Sequence, residues 1–155
     1  MATTLRLYDF EFEQRELGIT GDTWQELLAY SPLGRVPVLV LPDNRRLTDS
    51  AVILDYLDHK AGAERTLTPL SGPKRTDGLT VYAVLTAALE KAIATAYEVR
   101  FRPESLRHGP WVERCELQAR RGFEHVDALI GDTWIVGDEM TQADVTAAVA
   151  WQHLN

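Results

Sequence analysis

The sequence predicts a mixed α/β domain followed by an all-helical domain, and three features of the chain lead to this class. An apolar run rich in β-branched residues at 36–41 precedes the turn-forming sequence PDNRR at 42–46, which is typical of a β-hairpin. From Asp49 onward apolar residues recur at helical spacing. After Lys74 that spacing continues throughout the chain, so the second part is expected to be helical.

A change of composition predicts the domain boundary. Residues 63–73 are rich in Thr, Pro, Ser and Gly, which is typical of a linker. We therefore expect an α/β domain at 1–62 and an all-helical domain at 74–155. At 155 residues and 17.4 kDa the chain is long enough for two small cores.

Turn-forming residues set the predicted limits of the elements in the first domain. These elements are two short strands (Leu5–Tyr8 and Phe12–Leu17), one or two helical turns (Trp24–Tyr30), the hairpin, and a helix from Asp49 or Ser50 to a C-cap at Gly62. Asn44 is expected to take the left-handed backbone conformation in the hairpin turn.

Pro37 interrupts the apolar run of the hairpin. Proline has no N–H to donate, so it belongs at a strand edge, at a strand start or at a tight bend, where a cis bond is common. Each of these positions leaves backbone polar groups near Val36 without a strand partner. We expect the Val36–Pro37 bond to be cis, and the sequence leaves open whether a ligand pairs with Val36.

Three helices are predicted in the second domain. The apolar residues of the first two are Leu79, Tyr82, Leu85, Leu89, Ile93 and Tyr97, and then Val112, Cys115, Ala119, Phe123, Val126 and Ile130. The third begins at a capping box in which Thr141 caps the N–H of Asp144 and Asp144 reaches back to the amide of Thr141.

Charge and cysteine content narrow the possible partners and location. A formal net charge of −7 argues against nucleic acid or anionic lipid as the main partner. A single cysteine, Cys115, excludes an internal disulfide framework and fits a reducing compartment, so we expect a cytoplasmic protein. The start of the chain lacks the features of a leader, and we expect no apolar run long enough to cross a bilayer.

The histidines and the cysteine are not expected to form a reactive site. Four scattered histidines, His59, His108, His125 and His153, lack the spacing of metal ligands, so no metal is expected. Cys115 lies on the apolar face of its helix and is interpreted as an inert core thiol.

Two separated stretches resemble one family, the cytosolic glutathione S-transferases of bacterial type. SPLGRVPVLVLPDNRRLTDSAVILDYLDHKAG (31–62) resembles their glutathione-binding half, and WIVGDEMTQADVTAAVA (134–150) resembles the capped helix of their helical domain. The resemblance implies a thioredoxin-like N-terminal domain, a helical-bundle C-terminal domain, a ligand cleft between them and a homodimer. It also implies glutathione as co-substrate, bound by Val36, Pro37, Asp49 and Ser50.

The chemistry of these residues suits glutathione. With a cis Val36–Pro37 bond, the Val36 backbone can pair with the cysteinyl unit of the peptide as an added strand. The helix N-terminus and the hydroxyl at Ser50 suit the γ-glutamyl carboxylate, while Asp49 suits the ammonium. Arg35 either contacts the glycyl carboxylate or faces solvent.

Simpler roles remain open for several residues. The sequence TDS at 48–50 on its own is more often only a helix cap, and Pro37 on its own is an ordinary edge or turn proline. Tyr97 and Trp111 are candidates for the substrate side of the site, although aromatic residues at helical spacing are more often core.

Two parts of the family pattern are absent: a segment after the first strand, and the helices that normally close the second domain, so the helical domain at 74–155 is expected to be incomplete. In the family, the first strand is followed by a loop and then by a long helix. The loop carries a Tyr, Ser or Cys that stabilises the thiolate. Here only three residues separate Tyr8 from Phe12. A parallel strand pair needs a crossover of about a dozen residues. We therefore hypothesise a missing helical segment between Tyr8 and Phe12, and the catalytic residue stays unknown.

The expected reaction is attack of the glutathione thiolate on a small electrophile. Two alternatives remain: a non-catalytic binding or scaffold module of the same fold, and a glutathione-dependent isomerase or reductase. Tyr8 is not assigned the thiolate-stabilising role because it lies within the predicted first strand.

Overall fold

The computed structural model describes residues 1–18 and 20–154, in two compact units, Met1–Thr66 and Leu67–Asn155. The first unit contains α1 (Ala2–Leu7), α2 (Gly21–Leu28), β1 (Val38–Val40), β2 (Arg46–Thr48) and α3 (Ser50–Ala61). The second contains α4 (Gly72–Phe101), a 3₁₀ turn (Glu104–Leu106), α5 (Gly109–Asp127) and α6 (Gln142–Leu154). The predicted class, an α/β thioredoxin-like N-terminal part followed by an all-helical part, is confirmed.

The predicted hairpin is confirmed. β1 and β2 pair antiparallel, with Val38 opposite Thr48 and Val40 opposite Arg46. The amide of Leu41 donates to the carbonyl of Arg45 at 2.9 Å, which closes the turn. Asn44 has φ 64°, the left-handed conformation that asparagine tolerates.

The two strands predicted at Leu5–Tyr8 and Phe12–Leu17 are wrong. Residues 2–7 form α1, and residues 10–18 form neither helix nor strand. A strand needs a neighbour for its backbone hydrogen bonds, whereas a helix satisfies them within itself. Since no crossover brings these segments side by side, the first segment folds locally as a helix.

The stretch at the hypothesised insertion is compact. The amide of Phe10 donates to the carbonyl of Leu5 at 3.0 Å, just beyond the end of α1. A helical segment between Tyr8 and Phe12 stays a hypothesis, and an intact mass above 17.4 kDa would show it.

The core of the first unit lies between α1 and α3. Tyr8 is 2% exposed, and its hydroxyl donates to the carboxylate of Asp58 on α3, which is also buried. Ile53 and Leu57 contribute fully buried side chains from the same helix. The helix α3, which begins at Ser50, therefore packs with its apolar face against the rest of the first unit.

The second unit is a bundle of α4, α5 and α6. Its buried cluster consists of Val81, Leu85, Val126, Val136, Ala143 and Ala150. α4 and α5 approach closely at Gly122, where an added Cβ would lie 2.7 Å from the Cβ of Ala88. α5 ends at Asp127, short of the predicted Ile130, which is 52% exposed.

The capping box of α6 is confirmed in one direction and differs in the other. Asp144 accepts the amide of Thr141 at 2.8 Å, as predicted. The Thr141 hydroxyl accepts from the amide of Ala143 at 3.3 Å rather than from Asp144, and it donates to the Asp144 carboxylate at 2.9 Å. Asp144 also accepts the amide of Ile135 at 2.9 Å, so this carboxylate joins the helix to the preceding loop.

α4 is long and apolar enough to cross a membrane by length and composition, with a mean hydropathy of 1.4 over its most apolar stretch. The expectation that no apolar run reaches this length is therefore wrong. A core helix of a soluble protein passes the same test, so a single such helix is weak support for a membrane span. α4 contributes Val81 and Leu85 to the core of its unit.

Candidate functional site

The open end of the hairpin brings together the four residues predicted to bind glutathione. Val38 and Thr48 form the last pair of the strand register. Val36 and Pro37 directly precede Val38, and Asp49 and Ser50 directly follow Thr48, so all four lie at this end of the hairpin. Residues 12 to 14 positions apart in sequence thus share one end of the first unit.

The backbone of Val36 is open to a partner. The Val36–Pro37 bond is cis, as predicted. Val36 is 53% exposed, and within residues 1–18 and 20–154 neither its N–H nor its carbonyl takes part in a hydrogen bond. β1 begins only at Val38, so Pro37 lies just before the strand. The backbone N–H and carbonyl of Val36 therefore stay available to a partner.

A hydrogen bond and a close backbone approach hold the loop that carries Val36 in place. The amide of Arg35 donates to the buried hydroxyl of Ser31 at 3.1 Å. Gly34 has φ 58°, and a Cβ there would lie 2.6 Å from the indole nitrogen of Trp24, so only glycine fits this approach. Val36 is therefore presented by an anchored loop, and the Arg35 side chain itself is exposed.

Asp49 combines an unusual backbone with a capping side chain. Its φ of 76° and ψ of 137° lie in a region that residues other than glycine rarely occupy, at a cost of about 1 to 3 kcal/mol. One carboxylate oxygen, Oδ1, accepts the amide of Ala51 at 2.8 Å, so the residue is the N-cap of α3. Asp49 is exposed, which leaves its second oxygen accessible.

Ser50 is the first residue of α3, a helix of 12 residues, and is half-buried. The N-terminus of such a helix carries a partial positive charge of about half an elementary charge. The simpler interpretation of Asp49 as a helix cap is correct. A ligand-binding role for Asp49 is compatible with the cap, because the cap uses one oxygen of the carboxylate.

The two aromatic residues predicted on the substrate side line one cavity in the second unit. This cavity has a volume of about 490 Å³, and its wall consists of Ala94, Tyr97, Glu98, Phe101, Arg102 and Trp111. Tyr97 is 42% exposed and Trp111 is 45% exposed, so neither is a core residue. The alternative that these aromatic side chains are core is wrong.

Sequence reasoning missed Phe101 and the charged pair of the same wall. Phe101 lies four residues after Tyr97 on α4, and the two rings meet edge to face with centroids 5.3 Å apart. Glu98 and Arg102 are also four residues apart and form an ion pair at 3.0 Å. Both pairs have the helical i, i+4 spacing, so this spacing could have identified them from the sequence.

Cys115 lies on α5, four residues after Trp111. Cys115 is buried, with 1% of its surface exposed, as expected of a core thiol. Among the described residues, no group of three or more His, Cys, Asp or Glu is arranged to hold a metal ion. The side chain of His153 lies outside the described residues.

The fold is thus an α/β unit with an open backbone residue beside a capped helix N-terminus, followed by a helical bundle. Residues 1–65 match the family model described as glutathione S-transferase, N-terminal domain. The chain is therefore similar to glutathione S-transferases, over its first 65 residues to the family model and over most of its length to individual proteins.

Curated relatives have the same family name. Glutathione S-transferase 1 of Manduca sexta is 27% identical over 97% of this chain and 68% of its own length. Glutathione S-transferase GstA of Escherichia coli O157:H7 is 26% identical over 77% of this chain and 57% of its own length. The chain thus spans between about half and two thirds of the length of these two proteins.

Solved structures share the fold over nearly the whole chain. A glutathione S-transferase from Methylobacterium radiotolerans, in complex with glutathione sulfonate, is 25% identical with a TM-score of 0.89 and covers 99% of this chain and 73% of its own. A glutathione transferase family member from Pseudomonas fluorescens with bound glutathione is 25% identical with a TM-score of 0.78, over the same shares.

Proposed function

We propose that this protein binds glutathione at the open end of the hairpin and transfers its thiolate to a small electrophile. The observation that carries the proposal is the juxtaposition of the unpaired Val36 backbone with the Asp49–Ser50 start of α3. The bound glutathione of the Pseudomonas fluorescens relative and the glutathione sulfonate of the Methylobacterium relative support it.

The cysteinyl unit and the γ-glutamyl head of glutathione each have counterparts at this site. The N–H and carbonyl of Val36 pair with the cysteinyl unit as an added strand, next to Pro37. The Ser50 hydroxyl and the helix N-terminus bind the γ-glutamyl carboxylate. The accessible oxygen of Asp49 binds the γ-glutamyl ammonium, while the other oxygen keeps the cap.

The transfer step needs only the thiolate and the electrophile. The thiol proton passes to solvent, the sulfur attacks an electrophilic carbon, a C–S bond forms and the leaving group departs with its bonding electrons. Positioning of the two reactants and a lowered thiol pKa are the main sources of acceleration in such a step. The substrate-side residues of the proposal are Tyr97 and Trp111 in the second unit.

A non-catalytic binding module is the second candidate, and a specific observation favours it. Residues 9–18 contain no Tyr, Ser, Thr or Cys that could stabilise a thiolate. The Tyr8 hydroxyl is buried and donates to Asp58. A glutathione-dependent isomerase or reductase is the third candidate, since it would use the same peptide site.

Two measurements test the proposal. Calorimetric titration should show binding of glutathione and none of cysteinylglycine, which lacks the γ-glutamyl head but keeps the thiol. Turnover of a chlorodinitrobenzene with glutathione, followed by the release of chloride, should then be measurable. Equal affinity for the two thiols would contradict the assigned site, and tight glutathione binding without turnover would favour the binding module.

The oligomeric state and location are further parts of the proposal. We expect a homodimer in the cytoplasm, supported by the similarity to glutathione S-transferases and by the single free cysteine. Light scattering after size exclusion measures the mass in solution, and a monomer at micromolar concentration would contradict the dimer.

A further inference from the structure

Residues 31–35 form the turn that connects the end of α2 to the loop that carries Val36. The Ser31 amide donates to the carbonyl of Leu27 on α2 at 2.8 Å. The Ser31 carbonyl accepts the amide of Gly34 at 3.0 Å, and the Ser31 hydroxyl accepts the amide of Arg35 at 3.1 Å. One residue thus holds the helix on one side and the loop on the other.

Burial makes the hydroxyl bond of Ser31 important. Ser31 is 2% exposed, whereas Arg35 is exposed. An amide that loses a buried acceptor must find water or another group, and the chain around it moves to do so. A serine at this position therefore fixes a backbone amide that an alanine would leave to solvent.

The residues directly before Ser31 are fixed to the second strand of the hairpin. The Arg46 guanidinium of β2 lies over the Tyr30 ring, 5.4 Å from its centroid, and it donates to the carbonyl of Ala29. The Ser31 hydroxyl therefore belongs to a part of the first unit that the hairpin holds, so it can serve as a rigid anchor for the loop that follows.

Val36 depends on its neighbours for its orientation. It is 53% exposed, and in residues 1–18 and 20–154 its N–H and carbonyl have no hydrogen-bond partner. The Arg35 amide, one residue earlier, is the backbone group that Ser31 fixes. A loop that is not anchored samples other conformations, and a ligand then has to order it at a cost in affinity.

We propose that Ser31 is a positioning residue of the peptide site. Its buried hydroxyl fixes the Arg35 amide and so holds the Val36 backbone in the orientation with which a peptide ligand pairs. The loop is then ordered when the protein folds rather than when the ligand binds. That the peptide is glutathione rests on the proposed function; that Ser31 limits the motion of Val36 does not.

Three variants of Ser31 test the assignment by calorimetric titration with glutathione. Ser31→Ala should weaken binding by about 5- to 30-fold, the factor for ordering one backbone residue. Ser31→Thr keeps the acceptor oxygen and should restore most of the affinity. Ser31→Cys fills the same space with a weaker acceptor, so it should lose affinity like the alanine variant without leaving a cavity.

Thr4→Val is the matched control. Thr4 is 0% exposed and lies on α1 of the same unit, so the change also removes a buried hydroxyl. It should lower the stability, as Ser31→Ala does, and leave the glutathione affinity unchanged.

Nitrogen-15 relaxation measures the loop in the absence of any ligand. The order parameter of the Val36 amide should be about 0.85 in the wild type, in Ser31→Thr and in Thr4→Val, which is typical of a rigid backbone. In Ser31→Ala it should fall below about 0.6, which is typical of a flexible one. A merely structural role for Ser31 would lower the stability without this local change.

The outcomes separate this inference from the proposed function. An unchanged Val36 order parameter in Ser31→Ala, an unchanged glutathione affinity in that variant, or an equal loss of affinity in Thr4→Val would each overturn the positioning role. A wild-type protein that binds no glutathione would remove the proposed function. The order parameters would then still decide whether Ser31 holds Val36.

Discussion

Asp144 and Asp49 both lie at a helix N-terminus, and they differ in what they bind. Asp144 of α6 is half-buried and accepts three hydrogen bonds, from the amides of Ile135 and Thr141 and from the Thr141 hydroxyl. Asp49 of α3 is exposed and accepts one, from the amide of Ala51. Its backbone also adopts a φ of 76° that an aspartate rarely adopts.

The difference distinguishes a structural cap from a cap that can serve a ligand. Both oxygens of Asp144 are used within the fold, so the residue has nothing to offer a ligand. Asp49 caps with one oxygen and holds the other toward solvent, in a conformation that costs free energy. Strain at an exposed polar residue indicates function more strongly than a capping sequence does.

The largest effect is expected from Asp144→Ala. The change leaves the amides of Ile135 and Thr141 without their acceptor in a partly buried setting, so the free energy of unfolding should fall by about 2 to 4 kcal/mol. Urea denaturation followed by circular dichroism measures it. Asp144→Asn keeps one acceptor oxygen and should lose less; a loss below about 1 kcal/mol in the alanine variant would contradict the structural role.

Asp49→Ala should mainly weaken glutathione binding. We expect a loss of about 1.5 to 3 kcal/mol in binding free energy, the range for a hydrogen bond to a charged group. The free energy of unfolding should fall by only about 1 kcal/mol, because one cap bond is lost. Asp49→Asn keeps the cap and removes the charge, so it should bind poorly at wild-type stability; wild-type affinity in both variants would disprove the γ-glutamyl assignment.

A smaller effect of opposite sign is expected from Asp49→Gly. Glycine adopts a positive φ without a steric cost, and it is a tolerable N-cap, so the free energy of unfolding should rise by up to about 1 kcal/mol. Glutathione affinity should still fall as in the alanine variant. A variant less stable than Asp49→Ala would show that the backbone conformation at 49 is not strained.

The smallest effect concerns a third acid, Asp43 in the hairpin turn. Hydrogen bonds from the backbone and the side chain of Arg45 hold the pKa of Asp43 below its usual 3.8. Because the folded pKa is depressed, the stabilising contribution is present above pH 3.8 and is lost as pH falls through the folded pKa. A carboxyl titration by NMR should show this, and Arg45→Gln should move the midpoint toward 3.8; an unchanged midpoint would contradict the pairing.

Local signals made the hairpin, the capped helices and the cis Val36–Pro37 bond predictable. Asn44 in the turn, Gly62 at the end of α3 and the box at Thr141 each specify their structure within a few residues. The cis bond before Pro37 was predictable because a proline within an apolar strand has few alternatives. The confirmed hairpin explains why residues 36–37 and 49–50 lie at the same end of the two strands.

The failures involve long-range structure. Leu5–Tyr8 has the composition of a strand, but strand formation depends on a partner that the chain does not bring alongside. The contact between the Lys91 ammonium and the Trp111 ring depends on which face of α4 meets α5, since the two residues are 20 positions apart in sequence. Neither pairing is encoded in the local pattern of residues.

The buried Cys115 can be used to measure local opening of the second unit. It is the chain's single thiol, and 1% of its surface is exposed. A thiol-specific reagent can therefore modify the protein only when α5 separates from the bundle, so the labelling rate under native conditions measures how often that separation occurs. Ligands that tighten the second unit would slow the modification, which gives a read-out of binding that requires neither a chromophore nor turnover.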